Sequence, residues 1–386
     1  IDLSVGATTT GSLTLNGSAV QSITGSGTFA NNLIRNLIFT NTSTAIPNIN
    51  WGFDDVSVEY NLTISNAKIN LNGNKINYGV SATSTGNTFA FTNGGFLNGT
   101  FSRWWTAGGT GYTTSGPTTI PTGAAGRYPF YSQTGEQRIF YIGRTTPTAG
   151  GKYAVTYNNA TTSTTGLSIT DGAATITNRW DGNFVVTLDG TSPAAASNWV
   201  TMFTPGAFFT TATGARVLGQ NVALSGTHVN TSNAPYGQRS GVSTADLTSA
   251  TGLYLGVNAA DVPVVSIASG DWNSTSTWNG GVVPTCADVA VIANGHTVTS
   301  STSGNFAKGV SIATGGTLVV SAGDLTVGCT LNNNTLANSG TLTVTGGLLA
   351  VNGNMIHNAA STFNQSGGDI LVDGNEGGIA ANSVAS

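Results

Sequence analysis

The chain has 386 residues, of which only 7% are charged, with a formal net charge of −4. An ordinary soluble protein carries about 25% charged residues, and the 12 Lys and Arg form no basic cluster, which argues against nucleic acid as a partner. No apolar run reaches the ~18 residues of a membrane span, so no membrane insertion is expected. The 53 glycines follow no triplet, which excludes collagen. Hydrophobic residues alternate with Thr, Ser and Asn, and Gly and Asn punctuate them, which is an all-β composition.

Residues 1–92 read as stacked short strands. Ser12-Leu13-Thr14-Leu15 alternates and stops at Asn16-Gly17. Leu33 to Asn41, Val56 to Val58 and Leu62 to Ile64 follow, and Lys68 to Leu71 ends at Asn72-Gly73. Period-2 alternation buries one face of each strand. The reading is a β-solenoid.

Residues 93–262 differ in being rich in aromatic side chains, with strand candidates at Arg138–Gly143, Lys152–Tyr157, Asn183–Leu188, Trp199–Phe203 and Leu253–Val257. Short strands divided by Gly and Pro turns predict a β-sandwich. One helical turn is expected over Ser243–Ser249.

Residues 263–300 form a Trp-rich segment, and 301–386 a second β-solenoid. In the latter, Gly316-Thr317-Leu318, Gly340-Thr341-Leu342 and Ser361-Thr362-Phe363 open three copies of one phrase. Their spacing, about 21–24 residues, is a solenoid period. The fold class predicted is all-β, with parallel β-helix or solenoid segments at both ends of a central β-sandwich. The chain starts and stops within strand-like pattern and shows no evident cap. It therefore reads as a section of a longer polypeptide, or as one that docks end to end with copies of itself or with adjoining repeats.

Gly270-Asp271-Trp272, Thr277-Trp278, Gly281-Val282-Val283-Pro284-Thr285, Asp288-Val289 and Asn294-Gly295-His296-Thr297 together resemble the module that leads into β-helical regions of large secreted surface proteins of Bacteroidota. The stretches Gly126-Arg127-Tyr128-Pro129-Phe130 and Gly151 to Tyr157 are similar to a β-sandwich module of those proteins. The resemblance implies an extracellular or cell-surface location, export commonly by the type IX route, and an adhesive or scaffold role. It implies no single activity.

Catalysis is not expected. A glycosidase or lyase needs paired carboxylates in a cleft, and the densest acidic group, Asp54-Asp55 with Glu59, has the pattern of a solvated turn. His228, His296 and His357 have no partner at metal-ligand spacing. Oxygen ligands around Gly374, from Asp369, Asp373, Asn375 and Glu376, make a structural calcium ion the one cofactor candidate, with Asp181-Gly182-Asn183 a shorter version; the rival reading is an ordinary Asp-Gly turn. Arg103, Trp104, Trp105 and Tyr112 are the candidate patch for surface glycans. Trp104 and Trp105 face opposite sides of a strand, so only one can serve a given face, and aromatic core is the rival reading. Trp272, Trp278 and His296 are read as capping residues, since an open solenoid end needs a lid.

Cys286 and Cys329 leave two readings open. Two turns of stacking set Cα atoms roughly 10 Å apart, too far for a disulfide. A bridge therefore requires Cys286 to lie in an irregular segment. Otherwise the two are small buried side chains.

Overall fold

The computed structural model describes residues 11–24, 29–109, 126–133, 135–160, 162–203, 215–229, 236–258, 263–329 and 334–373. Strand makes up 56% of the chain and helix 4%, and the chain forms a β-solenoid. Two compact units divide it, one within residues 11–258 and one within 263–373.

The first unit is built on two long sheets. In one, Ser12–Gly17, Leu33–Asn41, Val56–Ser65, Lys75–Tyr78 and Thr100–Trp105 pair in parallel, each a turn after the last. In the other, Gln21–Ile23, Ile49–Trp51, Lys68–Asn70, Gly95–Leu97 and Arg127–Tyr131 do the same. Inward columns follow from the register. Leu13, Leu37, Leu62 and Phe89 align on one wall, and Ile49, Ile69, Phe96 and Phe130 on the other.

The parallel ladder runs on past residue 92, because Gly95–Leu97 and Thr100–Trp105 are its next rung. The same two sheets then change sense. Gly151–Asn158 and Asn183–Leu188 extend the first antiparallel. Gln137–Thr145, Ser197–Phe203 and Tyr236–Val242 extend the second. Between these extensions lies an aromatic core. Phe101 meets Tyr128 at 5.8 Å, Phe130 meets Phe184 at 6.0 Å, and Phe140 stacks on Phe184 at 5.0 Å. Beside it, Ser163–Thr164, Asn178–Trp180, Tyr254–Val257 and Arg216–Leu218 form a smaller sheet, and Ile169–Asp171 with Ala174–Ile176 a hairpin. The expected helical turn is Thr244–Leu247, capped by the Ser243 side chain, which accepts from the Asp246 N–H.

The second unit is parallel throughout its described strands. Val264–Val265, Val289–Ile292, Gly309–Ile312, Asn334–Asn338 and Gly353–His357 form one sheet. Gly270–Asp271, Thr297–Ser300, Thr317–Val320, Thr341–Val351 and Thr362–Val372 form a second, which Asn305–Ala307 and Asp324–Val327 widen. The three phrases seen in sequence are consecutive rungs: Thr317 pairs with Thr341, and Thr341 with Thr362. Residues 263–300 supply the first rungs of this ladder. Val298, Leu318 and Leu342 fill its interior and are fully buried. Among the described residues no helix is long and apolar enough to cross a membrane.

Candidate functional site

The strand Thr100–Trp105 sends alternate side chains to opposite faces of the first sheet. Phe101, Arg103 and Trp105 point into the aromatic core. Trp105 is buried, and its Nε1 donates to the Tyr128 hydroxyl at 3.1 Å. The Arg103 guanidinium lies 5.4–6.0 Å from the ring centroids of Trp105, Phe89, Tyr78 and Tyr128. It donates to the Arg127 carbonyl at 3.0 Å. Burial lowers the Arg103 pKa and raises the Tyr128 hydroxyl, and it pushes Tyr78 up to about 12. Arg103 and Trp105 therefore belong with the aromatic core, the rival of the two sequence readings, and not with an exposed glycan patch. A delocalised, weakly hydrated guanidinium is placed among rings at less cost than a strongly hydrated ammonium. Tyr112 lies outside the described residues.

Trp104 alone of the described members of the predicted group faces outward, half-buried. The Lys152 Nζ sits 5.4 Å from its ring centroid. Around it gather Lys152, Lys75 and Asp189. Asp189 Oδ2 receives Lys152 Nζ at 2.9 Å and Lys75 Nζ at 3.0 Å. Lys152 Nζ also reaches Asn77 Oδ1 at 3.3 Å, and the Lys75 backbone N–H donates to Asp55 Oδ1 at 2.7 Å. Burial opposes ionisation of Asp189, but the hydrogen bonds from Lys152 and Lys75 win and hold its carboxyl below the ordinary range. A general acid for glycoside chemistry needs the opposite shift. The cluster offers an indole edge with fixed donors and acceptors, which suits binding a polyhydroxylated ligand better than cleaving one.

A shallow open depression of about 420 Å³ lies on the same unit, lined by Asn98, Thr100, Gln133, Thr156, Asn158 and Asn159 among others. Tyr157 is the one titratable group in its lining, and burial raises its hydroxyl pKa.

The remaining predicted residues are dispersed. Glu59 pairs with Arg35 at 3.4 Å while Asp55 serves Lys75, so the acidic group is divided between two partners. The Asp181 carboxylate is occupied by Thr162 and Thr164 hydroxyls at 2.7 and 2.6 Å. Asp369 and Asp373 are both exposed on and just past the extended strand Thr362–Val372. Four residues of strand put them roughly 13 Å apart, so these two cannot share one calcium ion. Asn375 and Glu376 lie outside the described residues. Among the described residues no group of three or more His, Cys, Asp or Glu is placed to hold a metal.

The three capping candidates do meet. Trp272 and Trp278 are fully buried in the second unit's core, edge to face at 5.0 Å, and Trp278 Nε1 donates to the Trp272 carbonyl at 2.7 Å. His296 Nδ1 lies 3.0 Å from both the hydroxyl and the carbonyl oxygen of Ser266, which joins the first two rungs. Cys286 and Cys329 form a disulfide with Cα atoms 5.5 Å apart. Cys286 precedes Val289–Ile292 in an irregular loop, the condition a bridge across two turns requires.

Sequence reasoning missed two features. One is the amide ladder: Asn61 Nδ2 donates to Asn36 Oδ1 at 2.8 Å, and Asn87 Nδ2 to Asn61 Oδ1 at 3.2 Å. Asn recurring about one period apart was the available signal. The other is the junction of Asp171 with Arg239 and Arg216, at 2.9 and 3.1 Å. Nothing local to these residues marks it. Comparison with known proteins finds no matching protein family, no matching curated protein and no matching solved structure.

Proposed function

We propose that this chain is a structural, adhesive element of an extracellular or cell-surface protein, a section of a fibre, stalk or filament, with catalysis no part of its role. The observation that carries the reading is the use made of charge. Arg144, Arg239 and Asp171 are buried and Arg103 is half-buried among rings, all engaged in holding strands and loops, while the surface between them is a stacked array of amides and hydroxyls. A stacked solenoid supplies length and lateral surface rather than a deep pocket. The disulfide supports an oxidising, extracellular setting. We extend the proposal to the central two-layered region as a β-sandwich module, and to kinship with the secreted surface proteins of Bacteroidota exported by the type IX route. Partners in this reading are further repeats or copies of the chain. Electron microscopy of the native material tests it: elongated assemblies are expected, and compact monomers alone would overturn it.

A second reading rests on Trp104, which faces outward beside Lys152, Asp189 and Asn77. Here the module displays a glycan site. Glycan-array binding that is lost in Trp104→Ala but retained in Asn61→Ala supports this. Trp105→Ala is the wrong probe, since Trp105 is in the core.

A further inference from the structure

One face of the second unit carries a lattice that neither the capping segment nor the Trp104 cluster explains. Along four consecutive rungs the outward positions are Thr297 and Thr299, Thr317 and Val319, Thr341 and Thr343, and Thr362 and Asn364. The residues between them, Val298, Leu318 and Leu342, are fully buried, and Phe363 packs against the same core. Strand alternation therefore turns the other residues outward. Ser269 begins the first column one rung earlier, its Oγ accepting the Thr297 N–H at 2.8 Å.

Three properties distinguish this array. First, its register is unbroken: the shifts between Thr341–Val351 and Thr362–Val372 begin only after Val344. In the first unit, by contrast, the ladder is interrupted between Ile34 and Asn36. The matching outward column there, Thr14, Ile38, Thr63 and Ala90, is chemically mixed. Second, among the described residues the side-chain hydroxyls of Thr297, Thr299, Thr317, Thr341, Thr343 and Thr362 have no intramolecular hydrogen-bond partner. Hydroxyls elsewhere do, as between Thr100 and Thr156 at 2.8 Å or in the Thr162 and Thr164 bonds to Asp181. Third, none of these eight positions carries a charged or aromatic side chain; exposed Asp271, paired with Thr299 one rung earlier, and exposed Asp369, farther along the last strand, bound the array.

The array is thus a two-dimensional grid in which six threonines present hydroxyls and methyls, Val319 presents methyls alone and Asn364 an amide. Rungs are spaced about 4.8 Å and alternate residues about 6.6 Å. Threonine is held to few χ1 rotamers by its branched Cβ, so the grid is rigid before any ligand arrives, and binding has little side-chain freedom left to remove. A flexible protein partner or a single sugar has no use for such translational repetition; a crystalline surface does. Both spacings are of the same few-ångström order as the oxygen repeats of hexagonal ice. The methyls hold first-layer water in place while the hydroxyls hydrogen-bond it.

We propose that this face binds ice. The ligand is crystalline water, and the residues in contact are the two columns from Thr297 and Thr299 to Thr362 and Asn364. This function is independent of the structural role proposed above, and a fibre could carry it at a cold surface.

The test uses the full chain, fluorescently labelled, in an ice-affinity assay with slowly grown polycrystalline ice, paired with an assay of recrystallisation inhibition. Wild-type protein is expected to enter the ice and to keep crystals small. The Thr317→Lys/Thr341→Lys variant is expected to be excluded from the ice, whereas Ser311→Lys, an outward position on the other sheet, behaves as wild type. Far-UV circular dichroism and the thermal midpoint establish that each variant is folded. Thr317→Ser/Thr341→Ser keeps the hydroxyls and removes the methyls; its weakened uptake is the signature of the grid rather than of charge repulsion. Exclusion of the wild type from ice overturns the proposal, as does equal uptake of the folded Lys variant. Retention by insoluble crystalline polysaccharide in place of ice overturns it too, and identifies a different lattice.

Discussion

Removing the Asp171 carboxylate should unlock the first unit. Asp171 ends the strand Ile169–Asp171 and is nearly inaccessible. Arg239, on Tyr236–Val242 of the second long sheet, grips it through two bonds of 2.9 and 3.0 Å, and its Nε donates to the Ser225 carbonyl at 2.8 Å. Arg216, on the smaller sheet, adds a bond of 3.1 Å. Asp171→Ala therefore strands two guanidinium groups, one of them fully buried. Breaking a buried pair by deleting one partner costs about 3–5 kcal/mol. The assay is urea unfolding followed by circular dichroism and tryptophan fluorescence. Arg239→Met should cost a similar amount, and the double variant should cost less than the two single losses together, with a coupling of up to about 3 kcal/mol. Glu59→Ala is the control, since its pair with Arg35 is partly exposed. The reasoning is refuted if Asp171→Ala costs less than about 1 kcal/mol, the worth of an exposed pair.

Reduction of Cys286–Cys329 should lower the second unit's stability by up to about 4 kcal/mol on the loop-entropy account, read as a drop in thermal midpoint with dithiothreitol. Trp278→Ala should cost about 3–5 kcal/mol and open residues 263–300 to limited proteolysis before the later rungs. Acid should destabilise the first unit through Asp171 and Asp189. Burial raises the pKa of each, but Arg239 and Arg216, or Lys152 and Lys75, outweigh it and hold both below the ordinary carboxylate value. The unfolded chain then binds protons first. Their contribution is complete above about pH 4 and falls away as pH drops through the lower folded values. Loss of stability by urea titration between pH 5 and pH 3 should therefore be smaller in Asp189→Asn than in the wild type.

The solenoid was legible in the sequence because a two-residue alternation nested in a repeat of about 21–24 residues leaves few other ways to bury the apolar face. Thr317, Thr341 and Thr362, which share one phrase in the sequence, are paired neighbours in the ladder. The Trp272–Trp278 pair was legible as bulky apolar side chains close in sequence, and the two lie together in the second unit's core. The disulfide was not, because spacing counts rungs but cannot see the loop that carries Cys286 across two of them. The fate of Arg103 was also hidden. A strand residue between Ser102 and Trp104 looks solvent-bound until the rings of Tyr78, Phe89 and Tyr128, from other strands, are placed around it. Nor did composition show where parallel pairing stops. The aromatic enrichment starts near residue 93, but Thr100–Trp105 still belongs to the parallel ladder on one side while starting the antiparallel one on the other.

That last strand has a consequence for how such a protein can be cut and reassembled. Thr100–Trp105 and Arg127–Tyr131 each have a parallel neighbour and an antiparallel one. Excision at residue 92 would strip one edge from both at once and leave two raw, sticky borders. A gene fragment that exchanges cleanly between proteins has to carry both halves together. Recombination joints are therefore expected near residues 259–262, where the two units divide, and not at the change in composition that first draws the eye.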